Sequence, residues 1–128
     1  MNLDGCGGDV DRRSDRRNVP EEAIERYLGA LAQRLGASAM VLADGDGRVA
    51  CAGGAGIPLA RLGELGVASA CGAPEAMGAL ERLAGDEDLY THAWSAGGTS
   101  FRLISLRARV PRVREVASTV QRIRDAMY

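Results

Sequence analysis

Residues 37–52 read ASAMVLADGDGRVACA, and the turn at their centre decides the fold. Ser38–Ala43 is a short apolar run, and Arg48–Ala52 is a second run that alternates in part. Between them, Asp44-Gly45-Asp46-Gly47 supplies the residues that tolerate positive φ in a tight turn, so the stretch predicts two antiparallel strands joined as a hairpin. Asp44 and Asp46 have the start of a calcium-loop pattern. Arg48 takes the next ligand position and no Glu closes the loop, so calcium is rejected. No reactive group sits on the hairpin, and it reads as scaffold.

A helical pattern lies on either side. Pro20–Leu35 carries Ile24, Tyr27, Leu28, Leu31 and Leu35 on one stripe, with Asn18 and Pro20 suited to its start and Gly36 to its stop. After the hairpin, Gly53-Gly54-Ala55-Gly56 is a bend that lacks the ending of a phosphate loop. Pro58–Ala84 is a long helical region with Leu59, Leu62, Leu65, Val67, Met77, Leu80 and Leu83 on its apolar side. Gly72-Ala73-Pro74 interrupts it and predicts a kink or two consecutive segments. Gly63, Gly66, Ala70 and Ala73 form a small-residue face. That face suits close approach to another helix, across a dimer, or to the chain's own sheet.

Two further strands are expected. In Leu89–Trp94, Leu89, Thr91 and Ala93 face one way, and Tyr90, His92 and Trp94 the other. Thr99–Val110 has apolar residues on both faces, as a central strand requires, and Pro111 is expected to end it. Pro111–Tyr128 reads as a last helix with a stripe of Val113, Val116, Ala117, Val120, Ile123 and Met127, and with Arg112, Arg114, Arg122 and Arg124 off it. The whole is an α/β domain over residues 20–128, preceded by residues 1–19, whose Gly-, Asp- and Arg-rich composition predicts a disordered arm.

Composition excludes several functions. The 128 residues are 46% hydrophobic but only 4% aromatic, so the core must be aliphatic and its contacts close. All 16 basic residues are Arg, which excludes a Walker-type lysine and a Schiff-base lysine. Net charge is −1, which gives no strong pull towards nucleic acid or membrane. The charge is unevenly spread, with an acidic body and seven Arg after residue 100. Three Cys (Cys6, Cys51, Cys71) at unrelated spacings suggest no disulfide framework and no zinc site, and fit a reducing cytoplasm. Cys51 and Cys71 read as small apolar core residues. No signal peptide or membrane-spanning run is evident. His92 has no nucleophile placed beside it by sequence, and the carboxylates Glu22/Glu25 and Asp86/Glu87/Asp88 read as surface or loop groups. No catalytic set, cofactor site or metal site emerges, and an enzyme is not expected.

The order helix, hairpin, long helix, strands, helix resembles the Roadblock / dynein light chain family, most closely its bacterial MglB-like type. MVLADGDGRVACAGG resembles the family's first hairpin, LARLGELGVASACGAPEAMGALERLAGDED its small-residue-rich second helix, and RVREVASTVQRIRDAM its last helix. The resemblance implies a Roadblock-like α-β-β-α-β-β(-β)-α domain with helices packed on a central, mostly antiparallel sheet. The family usually has three strands between the second and last helices. Asp86–Val110 shows two, so the sheet has four strands, or five if the strands are very short. The resemblance further implies a cytoplasmic, non-catalytic interaction module that forms a homodimer or a heterodimer with a similar domain. Its partner would be a Ras-like small GTPase or its polarity and signalling complex. Dimer contacts would fall on Gly63, Gly66, Ala70 and Ala73 and on the strand with Tyr90, His92 and Trp94. Partner contacts would fall on Arg112, Arg114, Arg122 and Arg124. Two alternatives remain at this level: a small-molecule sensor of PAS/GAF-like shape, and a scaffold without GTPase contact.

Overall fold

A computed structural model describes residues 12–54 and 56–127. The elements run α1 (Arg12–Leu35), β1 (Ala39–Asp44), β2 (Val49–Gly53), α2 (Leu59–Ala70), α3 (Ala76–Ala84), β3 (Leu89–Ala96), β4 (Thr99–Leu106) and α4 (Val113–Met127). The four strands form one antiparallel sheet in the order β2-β1-β4-β3. This is the α/β arrangement expected, with four strands and with the second helix divided at Gly72–Pro74. Helix α1 begins at Arg12, ahead of the expected start at Pro20, and residues 1–11 of the expected arm lie outside the described residues.

Strand alternation sorts the core into two layers. Met40 and Leu42 of β1, Ala50 of β2 and Phe101 and Leu103 of β4 point to one face. There they meet Ile24, Leu28 and Leu31 of α1 and Val116 and Val120 of α4. Val41, Cys51, Ile104 and Leu106 point to the other face and meet Leu62 and Leu65 of α2 and Leu80 of α3. β1 is buried at every position, as an inner strand covered on both faces must be.

Helix α2 lies unusually close to the sheet, and glycine permits it. A Cβ on Gly63 would stand 2.9 Å from Val49 Cγ1, and one on Gly66 would stand 3.0 Å from Ala43 Cβ and 3.3 Å from Ile104 Cδ1. The two glycines of the small-residue stripe are thus occupied by the chain's own strands.

Strand β4 ends earlier than expected. Arg107 has φ 79°, a left-handed conformation that stops the strand four residues before Pro111. The turn is held by the Ser105 hydroxyl, which donates to the Ala108 carbonyl at 2.7 Å, and by the Arg107 amide, which donates to the Asp88 carbonyl at 2.8 Å. It delivers Arg109–Arg112 to the start of α4.

Candidate functional site

The two edges of the sheet are finished differently. An antiparallel pair bonds at alternate positions, leaving the amides between them to point outwards. On β2 the Asp44 amide donates to Arg48 at 3.1 Å, so the ladder bonds at Asp44, Leu42 and Met40, and the Cys51 amide points away from β1. That amide donates to Glu25 Oε2 of α1 at 3.4 Å. A carboxylate therefore closes the middle of this five-residue edge. Glu25 is half-buried there, and burial raises its pKa above the ordinary value of 4.5. The Cys51 amide lowers it in part, and Glu22 and Glu21 raise it further.

Among the described residues, strand β3 has no such closure. The Arg107 amide bond to Asp88 sets the alternation, so Tyr90, His92 and Trp94 bond to β4 while Leu89, Thr91, Ala93 and Ser95 direct their amides and carbonyls outwards. The strand is eight residues long and contains no Asp, Glu, Arg or Pro. Trp94 stacks on Phe101 with centroids 5.5 Å apart, and the two-glycine turn Gly97-Gly98, positive in φ at both positions, closes the hairpin to β4. Tyr90, His92 and Trp94 are partly buried, and Ala93 and Ser95 are exposed.

The arginines of the C-terminal segment divide into two kinds. Arg112, Arg114 and Arg122 are exposed along α4. Arg112 pairs with Glu115 at 3.3 Å, and Arg122 Nη2 donates to Thr119 Oγ1 at 3.2 Å. A groove of about 430 Å³ lies between β3 and the start of α4, lined by His92 and by residues 109–115. A second groove, of about 300 Å³, follows on along α4 past Ser118, Thr119 and Arg122.

Arg124 is of the other kind, and the expectation that it meets a partner is corrected. Its side chain is 8% exposed. Nη2 donates to Glu21 Oε2 at 3.1 Å, Nη1 to Asp44 Oδ2 at 3.5 Å, and the guanidinium lies 5.3 Å from the centre of the Phe101 ring. Asp44, fully buried, also accepts the amides of Asp46 and Arg48 at 2.9 and 3.0 Å and Arg48 Nε at 3.0 Å. The Asp-Gly hairpin is therefore anchored on a buried ionic cluster that joins α1, β1 and α4. The pattern carried the signal in two places. Asp44 follows Met40 and Leu42 on the inward alternation, and Arg124 follows Val116 and Val120 at four-residue steps.

Gly63 and Gly66 do not present a face to a second copy, because both are buried against the chain's own sheet. Ala70 and Ala73 are half-buried at the end of α2 and in the break that follows it. Cys51 is buried as expected, whereas Cys71 is exposed at the C-terminal cap of α2. Glu87 accepts a hydrogen bond from the Ser38 hydroxyl, which ties the acidic turn to the segment before β1. Among the described residues, no group of three His, Cys, Asp or Glu stands close enough to hold a metal ion. No described helix is long and apolar enough to cross a membrane. No protein-family model matches the chain, and no curated protein matches it.

Proposed function

We propose that the chain is a non-catalytic, dimeric interaction module of Roadblock type that acts in the cytoplasm. Its partner on this reading is a Ras-like small GTPase or the polarity and signalling complex built on one. The observation that carries the reading is the contrast between the two sheet edges. One is closed by Glu25, and the other is long, free of charged side chains and, among the described residues, unpaired on its outer side. A second copy pairing antiparallel along β3 would satisfy the outward amides of Thr91 and Ala93 in both chains. The exposed Arg112, Arg114 and Arg122 leave a basic helix face for an acidic partner surface.

The test has two arms. Ala93→Pro removes an outward donor while leaving the bonds from β3 to β4 in place. The wild type is expected to be a dimer by light scattering at micromolar concentration, and the variant a monomer with unchanged far-UV circular dichroism. A monomeric wild type refutes the pairing. In the second arm, immobilised protein is mixed with lysate carrying a GTP analogue or GDP. A GTPase identified by mass spectrometry, retained in one nucleotide state and lost with Arg114→Glu/Arg122→Glu, supports the partner assignment. Retention of no GTPase in either state reduces the reading to a scaffold.

A further inference from the structure

The outer side of β3 restricts how a second copy can sit on it. Its outward bonding positions are Leu89, Thr91, Ala93 and Ser95, placed symmetrically about His92. Two identical strands pair antiparallel about a twofold axis, and outward positions must meet outward positions. An axis at His92 sets Leu89 against the partner's Ser95 and Thr91 against the partner's Ala93, so every outward position of the strand is bonded. An axis at Thr91 leaves Ser95 beyond the ladder. An axis at Ala93 sets Leu89 against the glycine turn, where Gly97 has a positive φ and leaves the strand.

The side chains agree with the axis at His92. Tyr90, His92 and Trp94 share the face that Phe101 and Leu103 share on β4. About this axis Tyr90 meets the partner's Trp94, an aromatic cross-strand pair that occurs twice. His92 meets the partner's His92 in the closer, non-hydrogen-bonded kind of pair, with Cα atoms about 4.5 Å apart. The two imidazoles are then in contact.

That contact suits neutral rings and not charged ones. Nε2 of His92 is enclosed and has no hydrogen-bond partner among the described residues. An imidazolium carries N–H on both nitrogens, so protonation encloses an unpaired donor. Arg109, Arg112, Arg114 and Glu115 line the groove beside the ring, and Glu115 is engaged by Arg112 at 3.3 Å. On the strands, the phenol of Tyr90 is its neighbour on the same face and Leu103 stands opposite it on β4. Burial and, secondarily, the charge of Arg109 hold the ring below its ordinary pKa of 6.5. Pairing sets the partner's His92 beside it and takes water from both rings, and both effects lower it further.

We propose that the second copy pairs with β3 about a twofold axis at His92, so that the two imidazoles face each other and their protonation in mild acid separates the dimer. The switch rests on the β3-edge dimer proposed above. Its direction follows from linkage. The separated chains bind more protons than the dimer, so the dimer has its full strength above the pKa of the separated chain and weakens as pH falls through it, below 6.5.

The axis is tested by cross-linking in a Cys6→Ser/Cys71→Ser background, which leaves the buried Cys51 in place. A disulfide needs Cα atoms about 4.4–6.8 Å apart, so under mild oxidation His92→Cys should give a covalent dimer, and Thr91→Cys and Ala93→Cys should not. Cross-linking at Thr91 or Ala93, or none at His92, overturns the axis. The switch is tested by the dimer dissociation constant from sedimentation at pH 7 and pH 5, with circular dichroism to show that the fold persists. It should rise by about tenfold or more in the wild type, because two protons are taken up per dimer, and stay level in His92→Gln. His92 is the sole histidine, so its Cε1–H resonance can be assigned without ambiguity, and it should titrate at lower pH in the wild-type dimer than in Ala93→Pro. A dimer with the same constant at both pH values, an equal rise in His92→Gln, or the same His92 titration in Ala93→Pro overturns the switch and leaves the dimer standing. A wild type that is monomeric at pH 7 refutes the dimer and the switch together.

Discussion

Replacing Arg124 by Leu would test the ionic cluster beneath the hairpin. The change keeps the aliphatic bulk of the side chain and removes a guanidinium that is 8% exposed between two carboxylates. Breaking one partner out of a buried pair costs about 3–5 kcal/mol. Asp44 is not left bare, because Arg48 Nε and two backbone amides still bond it at 2.9–3.0 Å. Glu21 loses the guanidinium at 3.1 Å, and the interaction with the Phe101 ring, worth about 0.5–2 kcal/mol, goes as well. The net loss expected is about 2–4 kcal/mol, against a total stability of about 5–15 kcal/mol for a domain. With a urea slope of about 2 kcal/mol per molar, the middle of the usual range for small proteins, the midpoint should fall by roughly 1–2 M. Urea titrations followed by far-UV circular dichroism and by the fluorescence of Trp94, which stacks on Phe101, would measure it. Arg122→Leu on the exposed side of α4 is the control and should lie within about 0.5 kcal/mol of wild type. In a double-mutant cycle with Asp44→Asn, the two losses should sum to more than the loss of the double variant. If Arg124→Leu is no less stable than the control, the cluster does not hold the fold and Arg124 returns to the surface.

Two more changes follow from the packing and the sheet edge. Gly66→Leu should destabilise or unfold the chain and not simply separate a dimer, because its Cβ would already stand 3.0 Å from Ala43 Cβ. Overpacking of this kind costs about 1–3 kcal/mol or more, and a variant with a wild-type urea midpoint would show that α2 is free to move off the sheet. Glu25→Gln keeps an acceptor for the Cys51 amide and removes a carboxyl whose folded pKa is raised by burial. A raised folded pKa means that the folded state binds more protons between 4.5 and the raised value, so this group's contribution falls as pH rises through that window. The stability of Glu25→Gln relative to wild type should therefore increase between pH 4 and pH 7. Parallel profiles would refute the assignment.

The hairpin, the divided second helix and the four strands were legible because each is written in local chemistry. Asp-Gly pairs, a Gly-Ala-Pro break and two-residue alternation act within a few positions of themselves. The partner of the small-residue face was not legible. Gly63 and Gly66 permit close approach equally to a strand or to a helix, and only the tertiary arrangement selects the sheet. Arg124 was misplaced because its charge outweighed its position, although it sits on the Val116–Val120 row. The contrast between the two edges depends on Glu25 reaching a strand 26 positions away, which no local pattern records. The basic groove was visible as an excess of arginine but not as a place. His92 and Arg109 meet there because Arg107 turns the chain out of β4 before Pro111.

The ionic cluster also bears on how the chain is made. Arg124 is separated from Asp44 by 80 positions and from Glu21 by 103. At about 5–20 residues per second, the ribosome takes roughly 4–16 s to reach Arg124 after Asp44 has been added. Throughout that interval the carboxylates of Glu21 and Asp44 await their shared cation, and the sheet face under α1 lacks Val116 and Val120. Helix α4 thus carries both the missing charge and the missing cover, which makes its emergence from the ribosome the step that licenses a stable domain.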